Sequence, residues 1–220
     1  MWYGLEAHFA LHVTHPLKTR APRGRKRDLR DAQRLADRWD SGDLEESFIP
    51  GAEQRSRRWL NRSRVQLKRM VGVIGNQVEG LLEQGGIQLT AVASNPFGVS
   101  GWAMLELIAN GETDVSVLAA EARGALRKKE AELWEALAGR LDPVYRLLLG
   151  QHMDQVGLLR RLIADLNEAL ARAMSMHVAT LHRLSKIPGV DLYAAQELLA
   201  EIGPAAVAFP SAEQFVSWVE

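Results

Sequence analysis

Residues 53–83 read EQRSRRWLNRSRVQLKRMVGVIGNQVEGLLE. Leu60, Leu67, Ile74 and Leu81 recur every seven residues, and Val71 and Val78 fill the second seam position. This pattern predicts one long helix from Glu53 to about Glu83, with a coiled-coil stripe held for about three repeats. Gly72, Gly75 and Gly80 inside it each cost up to about 1 kcal/mol against alanine, so the helix needs a packing partner. Gly85-Gly86 ends it. A second stripe follows Asp142-Pro143: Val156, Leu159, Ile163, Leu166, Leu170 and Ala173 advance by alternating steps of three and four. It predicts a helix from Pro143 to about Lys186, with proline at the first helical position. The two seams can close on each other as an antiparallel hairpin or pair between subunits, and the pattern does not choose.

The remaining segments make the chain mainly α. Residues 1–9 read as the end of a helix, and Phe9–His15 alternates as a short strand would. Pro16, Pro22 and Gly24 mark a loop. Asp28 to about Trp39 reads as a helix, and Gly42 and Pro50 bound the next loop. Asn95-Pro96-Phe97-Gly98 is a turn, Val99–Ala109 a short helix, and Lys128–Leu141 another. Ile187-Pro188-Gly189-Val190 then separates a helix from a second one over Asp191–Ile202. This turn is similar to that of a helix-hairpin-helix, where backbone N–H groups at the second helix can hold a phosphate. A plain helix–helix connection is the competing reading. The expected division is 1–50, 51–185 and 186–220.

Composition narrows the function classes. The chain has 220 residues, 47% hydrophobic and 25% charged, as in ordinary globular proteins with one large or two small domains. No apolar run approaches the roughly 20 residues needed to cross a bilayer. The opening residues lack the basic start and apolar core of a signal peptide. With no cysteine, disulfides and thiolate metal sites are excluded, and a cytoplasmic protein is the expectation. The zero net charge hides an asymmetry. Lys18–Arg69 holds 16 lysines and arginines against 8 acids, whereas the rest holds 11 against 19. A basic first third is the electrostatic footprint of nucleic-acid binding, and arginine suits bidentate phosphate contacts. Candidate phosphate contacts are Arg23, Arg25, Lys26, Arg27, Arg30, Arg34, Arg57, Arg58, Arg62 and Arg64, with Pro188 and Gly189 of the hairpin-like turn.

Within that stripe, Asp28 and Asp31 sit three apart, on one face of a helix. A carboxylate pair can hold a hard cation such as Mg²⁺, and a metal beside phosphate-binding arginines is what strand cutting and joining needs. Asp28 as a helix cap and Asp31 as an ion-pair partner of Arg27 or Arg34 are the structural alternatives. Glu6 reads as a surface acid, and His12 and His15 lack a third zinc ligand. His177 reads as a packing residue at a seam position. No Ser-His-Asp order, phosphate-binding glycine loop or dinucleotide fingerprint occurs. Gly98-Val99-Ser100-Gly101 resembles a nucleophile elbow but lacks a preceding buried strand, and reads as a helix entry with Ser100 near the cap.

Five segments together resemble the insertion-sequence one-hundred-and-ten family of transposases, which are RNA-guided DNA recombinases. They are GRKRDLRDAQRLAD (24–37), SFIPGAEQR (47–55), NPFGVSGWAMLELIANGE (95–112), IPGVDLYAAQELLAEIG (187–203) and FPSAEQFVSWV (209–219), in the family's order. The resemblance implies a remnant of a RuvC-like (ribonuclease-H-like) α/β domain, then long coiled-coil helices, then the start of a helical transposase domain. It implies that Asp28 and Asp31 match the last two acids of an Asp-Glu-Asp-Asp site for Mg²⁺. It implies DNA and a guide RNA as partners, and homo-oligomers formed through the coiled coils. The family's first two acids and its nucleophilic serine would fall outside residues 1–220, so neither Glu6, Ser211 nor Ser217 takes those roles. The expectation is a transposase by descent that does not recombine DNA by itself, with a non-catalytic nucleic-acid-binding or oligomerising fragment as the alternative.

Overall fold

The computed structural model describes residues 2–15, 19 and 28–219, and among these the chain is mainly helical. The helices are α1 (Trp2–Leu5), α2 (Asp28–Asp40), α3 (Ala52–Gln84), α4 (Leu89–Val92), α5 (Val99–Ala109) and α6 (Val115–Ala120). They continue with α7 (Glu130–Ala136), α8 (Pro143–Ala173), α9 (Val178–Leu184), α10 (Leu192–Ile202) and α11 (Ala212–Val219). Short 3-10 turns at Gly124–Lys129 and Ser175–His177 join α6 to α7 and α8 to α9. No described helix is long and apolar enough to cross a membrane. The chain forms two compact units, one of residues 1–55 with 202–220, the other of residues 56–201.

The second unit is built on α3 and α8, and its hydrophobic residues divide into two clusters. Ile74, Val78 and Leu82 of α3 share the larger cluster with Leu149, Met153 and Val156 from the first half of α8. Leu60, near the start of α3, packs instead with Leu170 at the end of α8. Arg64 donates to Asn167 Oδ1 between the same helices. The pairing is therefore antiparallel and within one chain, so the hairpin alternative is the one realised. The larger cluster is completed by α4–α7, with Leu89, Met104, Leu105 and Leu133 all fully buried. Each such side chain contributes about 1.5–3 kcal/mol of transfer free energy.

One joint sets how α3 ends. Arg140 donates its N–H to the Gly85 carbonyl, and Gln88 donates to the Ala136 carbonyl, each at 2.8 Å. A Cβ on Gly139 would lie 2.1 Å from the Gly85 oxygen, inside any allowed contact. Glycine at 139 is what lets the two backbones meet. Gly86, at φ +73°, turns the chain away from α3 in the left-handed region that glycine tolerates.

Four expectations differ from the structure. The strand over Phe9–His15 is reduced to an isolated antiparallel bridge between Thr14 and Glu46, since one residue pair with no further partner cannot propagate a ladder. The helix expected over Lys128–Leu141 is a 3-10 turn followed by the shorter α7, because the chain must leave the helix to reach the close approach at Gly139. The helix from Pro143 stops at Ala173 rather than Lys186. Met174 departs from helical geometry (φ −110°, ψ 7°) and is buried with Leu170 and Leu181, so the break lets α9 fold onto the second cluster. The seam follows the same shift: Ala173 is exposed and Met174 takes its place in the interior.

In the first unit, His12 links several segments. Its Nδ1 lies 3.0 Å from Glu46 Oε1 and its ring centroid 3.8 Å from that of Trp39 on α2. Arg55 donates to both carboxylate oxygens of Glu6, at 2.8 Å for Oε1, so this acid is an ion-pair partner. Phe209 and Phe215 meet edge to face at 5.2 Å.

Candidate nucleic-acid interface

α2 begins at Asp28 and has both carboxylates, Asp28 and Asp31, in its first turn. That position suits them independently of any ligand, because the helix dipole favours negative charge there. None of its residues is buried, and Asp28 and Arg30 are exposed. Asp31 lies 3.3 Å from Arg34, one of its two sequence-expected ion-pair partners, and Arg34 also donates to the Thr19 carbonyl at 2.8 Å. The helix thus presents two acids and Arg30 on an open surface. Arg23, Arg25, Lys26 and Arg27 lie outside the described residues. Among the described residues no group of three or more histidines and acids could hold a metal ion. Two carboxylates suffice for part of a Mg²⁺ sphere, which usually takes one or two carboxylates with water and phosphate oxygens supplying the rest.

The arginines of α3 have different surroundings. Helical periodicity places 57, 61 and 64 on the same inward stripe as Ile74, Val78 and Leu82, and all six are buried. Arg64 is 1% exposed. It donates to Gln196 Oε1 at 2.7 Å and to Asn61 Oδ1 at 2.8 Å. Its guanidinium also stands 5.4 Å from the centroid of the Tyr193 ring, which Lys68 approaches at 4.3 Å. Burial holds the Arg64 guanidinium below the usual arginine value, against the raising influence of Glu197, Tyr193 and Asp191.

Arg58 and Arg62, one turn apart, converge on Glu201 of α10. Arg62 makes a two-pronged contact, Nε to Oε1 at 2.8 Å and Nη2 to Oε2 at 2.7 Å. Arg58 donates Nε to the Glu201 carbonyl at 3.0 Å. Hydrogen bonding to Glu201 raises the Arg62 pKa, whereas burial lowers that of Arg58 against the attraction of Glu201. The side chain of Arg62 remains 62% exposed, that of Arg58 only 21%. The basic run of α3 is therefore also a polar fastening between α3 and α10. Arg57 is 6% exposed and Arg64 less, so both side chains are buried as the structure stands.

The hairpin-like segment is a type II turn. Val190 donates its N–H to the Ile187 carbonyl at 3.0 Å, Pro188 takes the second position, and Gly189 has φ +85° in the third. Pro188 and Gly189 are both exposed. Asp191 accepts from the Ala194 N–H at 2.7 Å, so an acidic cap already occupies the start of α10. A phosphate there would meet that negative charge.

Reading by residue type missed Asn61, Gln196, Tyr193 and Glu201. Glu201 lies 139 positions from Arg62, and no local pattern joins them. It also passed over a second basic run, Arg123, Arg127, Lys128 and Lys129, which sits in the negatively charged remainder of the chain. No protein-family model, curated protein or solved structure matches the chain.

Proposed function

We propose that the chain is a member, by descent, of the insertion-sequence one-hundred-and-ten transposases and acts on nucleic acid, with DNA and a structured guide RNA as its partners. The observation that carries this reading is the order of five family-like segments along one chain. Its mainly helical architecture, with long antiparallel helices between those segments, is compatible with the coiled-coil region of that family. In this reading α2 stems from a RuvC-like domain, and Asp28 and Asp31 contribute two ligands to Mg²⁺. The ion when bound supplies Lewis-acid stabilisation of phosphate oxygens. The chain's own groups hold and orient: Arg30 draws phosphate toward the carboxylates, and Arg34 fixes the rotamer of Asp31 from the next turn. Assembly into homo-oligomers would use the outer faces of the long helices, where Leu147, Leu158 and Leu162 of α8 are exposed.

A second reading, a non-catalytic nucleic-acid-binding or oligomerising fragment, is favoured by the isolation of the Asp28/Asp31 pair. That pair stands without a third acid or histidine nearby among the described residues. Two measurements distinguish the readings. Gel retardation with a stem-loop RNA and a duplex DNA tests binding, and Mn²⁺-induced water-proton relaxation tests the metal site. Both readings expect retardation that Arg30→Glu weakens. Only the first expects Mn²⁺ relaxation that is lost in Asp28→Asn/Asp31→Asn. Absence of retardation for every RNA and DNA at low salt overturns both.

A further inference from the structure

The second unit contains a cleft of about 530 Å³ far along the chain from the basic stripe. That is within the range of roughly 300–1,000 Å³ typical of ligand sites. One wall is the loop and helix entry running from Val92 to Gly101; the other is the 3-10 segment from Arg123 to Lys129. The two walls are pinned together, because the Arg123 N–H donates to Ser100 Oγ at 2.9 Å. No carboxylate lines the cleft, whereas Arg123 and Lys129 both do. These belong to the run Arg123–Lys129, which has four cations and no acid. Their nearest acids are Glu121 at 3.8 Å from Arg123 and Glu132 at 3.7 Å from Lys129. Such long pairs at the surface contribute little and leave both cations available. Val92, Ala93 and Leu126 give the interior an apolar side.

We propose that this cleft holds one nucleotide unit of a nucleic-acid strand, its phosphate against Arg123 and Lys129 and its sugar and base against Val92, Ala93 and Leu126. Cations paired with an apolar wall match the two halves of a nucleotide; single-strand grooves pair charge with aromatic platforms, and here aliphatic side chains take the place of the platform. The α5 entry adds to the charge: Gly98, Val99, Ser100 and Gly101 at its start line the cleft, and the positive end of a helix dipole favours an anion. The inference rests on the nucleic-acid reading above. It assigns the contact to the second basic run, outside the stripe from Lys18 to Arg69.

The test is fluorescence anisotropy of labelled oligothymidylate on the full chain, between about 50 and 200 mM KCl. Arg123→Glu and Lys129→Glu should each raise Kd roughly tenfold at low salt and lower the slope of log K against log salt by about 0.7 per lost contact. Ala125→Trp, which fills the cleft without changing charge, should weaken binding comparably. Arg172→Glu, an equal charge change at the end of α8, should change Kd less than about twofold. Inorganic phosphate should compete only weakly, because it lacks the sugar and base. Wild-type binding that survives all three cleft substitutions overturns this inference and leaves the nucleic-acid reading standing. Sensitivity to the charge reversals but not to Ala125→Trp places the strand outside the cleft and also overturns it, as does full displacement by phosphate at equal concentration. If the wild type binds no strand, both fall.

Discussion

Arg64→Ala separates an arginine that holds the fold from one that holds a phosphate. The side chain is 1% exposed and donates to Gln196 at 2.7 Å and Asn61 at 2.8 Å. Hydrogen bonds to a charged group contribute about 1.5–3 kcal/mol each, and the two here share one donor guanidinium, so their losses do not simply add. Truncation also leaves the Gln196 and Asn61 carbonyl oxygens facing a void. The expected loss is about 2–4 kcal/mol, a large part of the roughly 5–15 kcal/mol that holds a domain folded. At about 2–4 °C per kcal/mol for a protein of this size, the melting temperature should fall by roughly 5–15 °C. Urea denaturation should show a lower midpoint with an unchanged slope. Arg64→Lys should recover only part of the loss, since an ammonium cannot reproduce the planar fork. The reasoning is refuted if Arg64→Ala melts within about 0.5 kcal/mol of wild type while nucleic-acid affinity collapses.

Three further outcomes are expected. Glu201→Ala removes the common partner of Arg58 and Arg62; because Arg62 is well exposed, urea denaturation should register only about 1–2 kcal/mol of destabilisation. Gly139→Ala forces a methyl onto the Gly85 carbonyl, so its thermal unfolding should occur well below that of Gly150→Ala, whose added carbon meets nothing within 4 Å. Asp114 caps α6 by accepting from Ser116, chiefly through the hydroxyl, and these bonds hold its folded pKa below the usual 3.8. A depressed folded value means the cap's contribution is present above the unfolded pKa and is lost as pH falls through the folded one. The difference in melting temperature between wild type and Asp114→Ala should therefore be full at neutral pH and shrink on acidification below pH about 4. A difference that persists unchanged into acid would contradict this.

The long helices were legible because their signals are local and repeated. Leucine and valine at heptad spacing, proline after Asp142 and the Gly85-Gly86 pair bound α3 and the start of α8 closely. The turn at Ile187–Val190 was equally readable from Pro-Gly, although its type follows only from the Val190–Ile187 hydrogen bond and the positive φ of Gly189. What escaped depends on contacts between distant residues. The stripe of α3 changes from apolar to polar on going toward its start, so Arg57, Asn61 and Arg64 occupy interior positions that a hydrophobic pattern cannot mark. The arrival of Gln196 and Asn167, beside Asn61 on the same helix, makes an inward arginine at 64 tolerable. The break after Ala173 was hidden for a related reason: the residues continue to suit a helix, and it is the burial of Met174 and Leu181 against Leu170 that turns the chain. At the candidate site, Asp28 and Asp31 were placed on one helical turn by their spacing alone, and the Asp31–Arg34 pair was one of the alternatives that spacing left open.

The most direct test of the nucleic-acid reading is the salt dependence of binding by the full chain. Anisotropy titrations of a labelled stem-loop RNA and a duplex DNA, from about 50 to 200 mM KCl, give the slope of log K against log salt. The account predicts measurable binding at the low-salt end and a steep negative slope, close to −0.9 for each duplex phosphate neutralised. Binding of neither at about 50 mM KCl, or binding indifferent to salt, would contradict it.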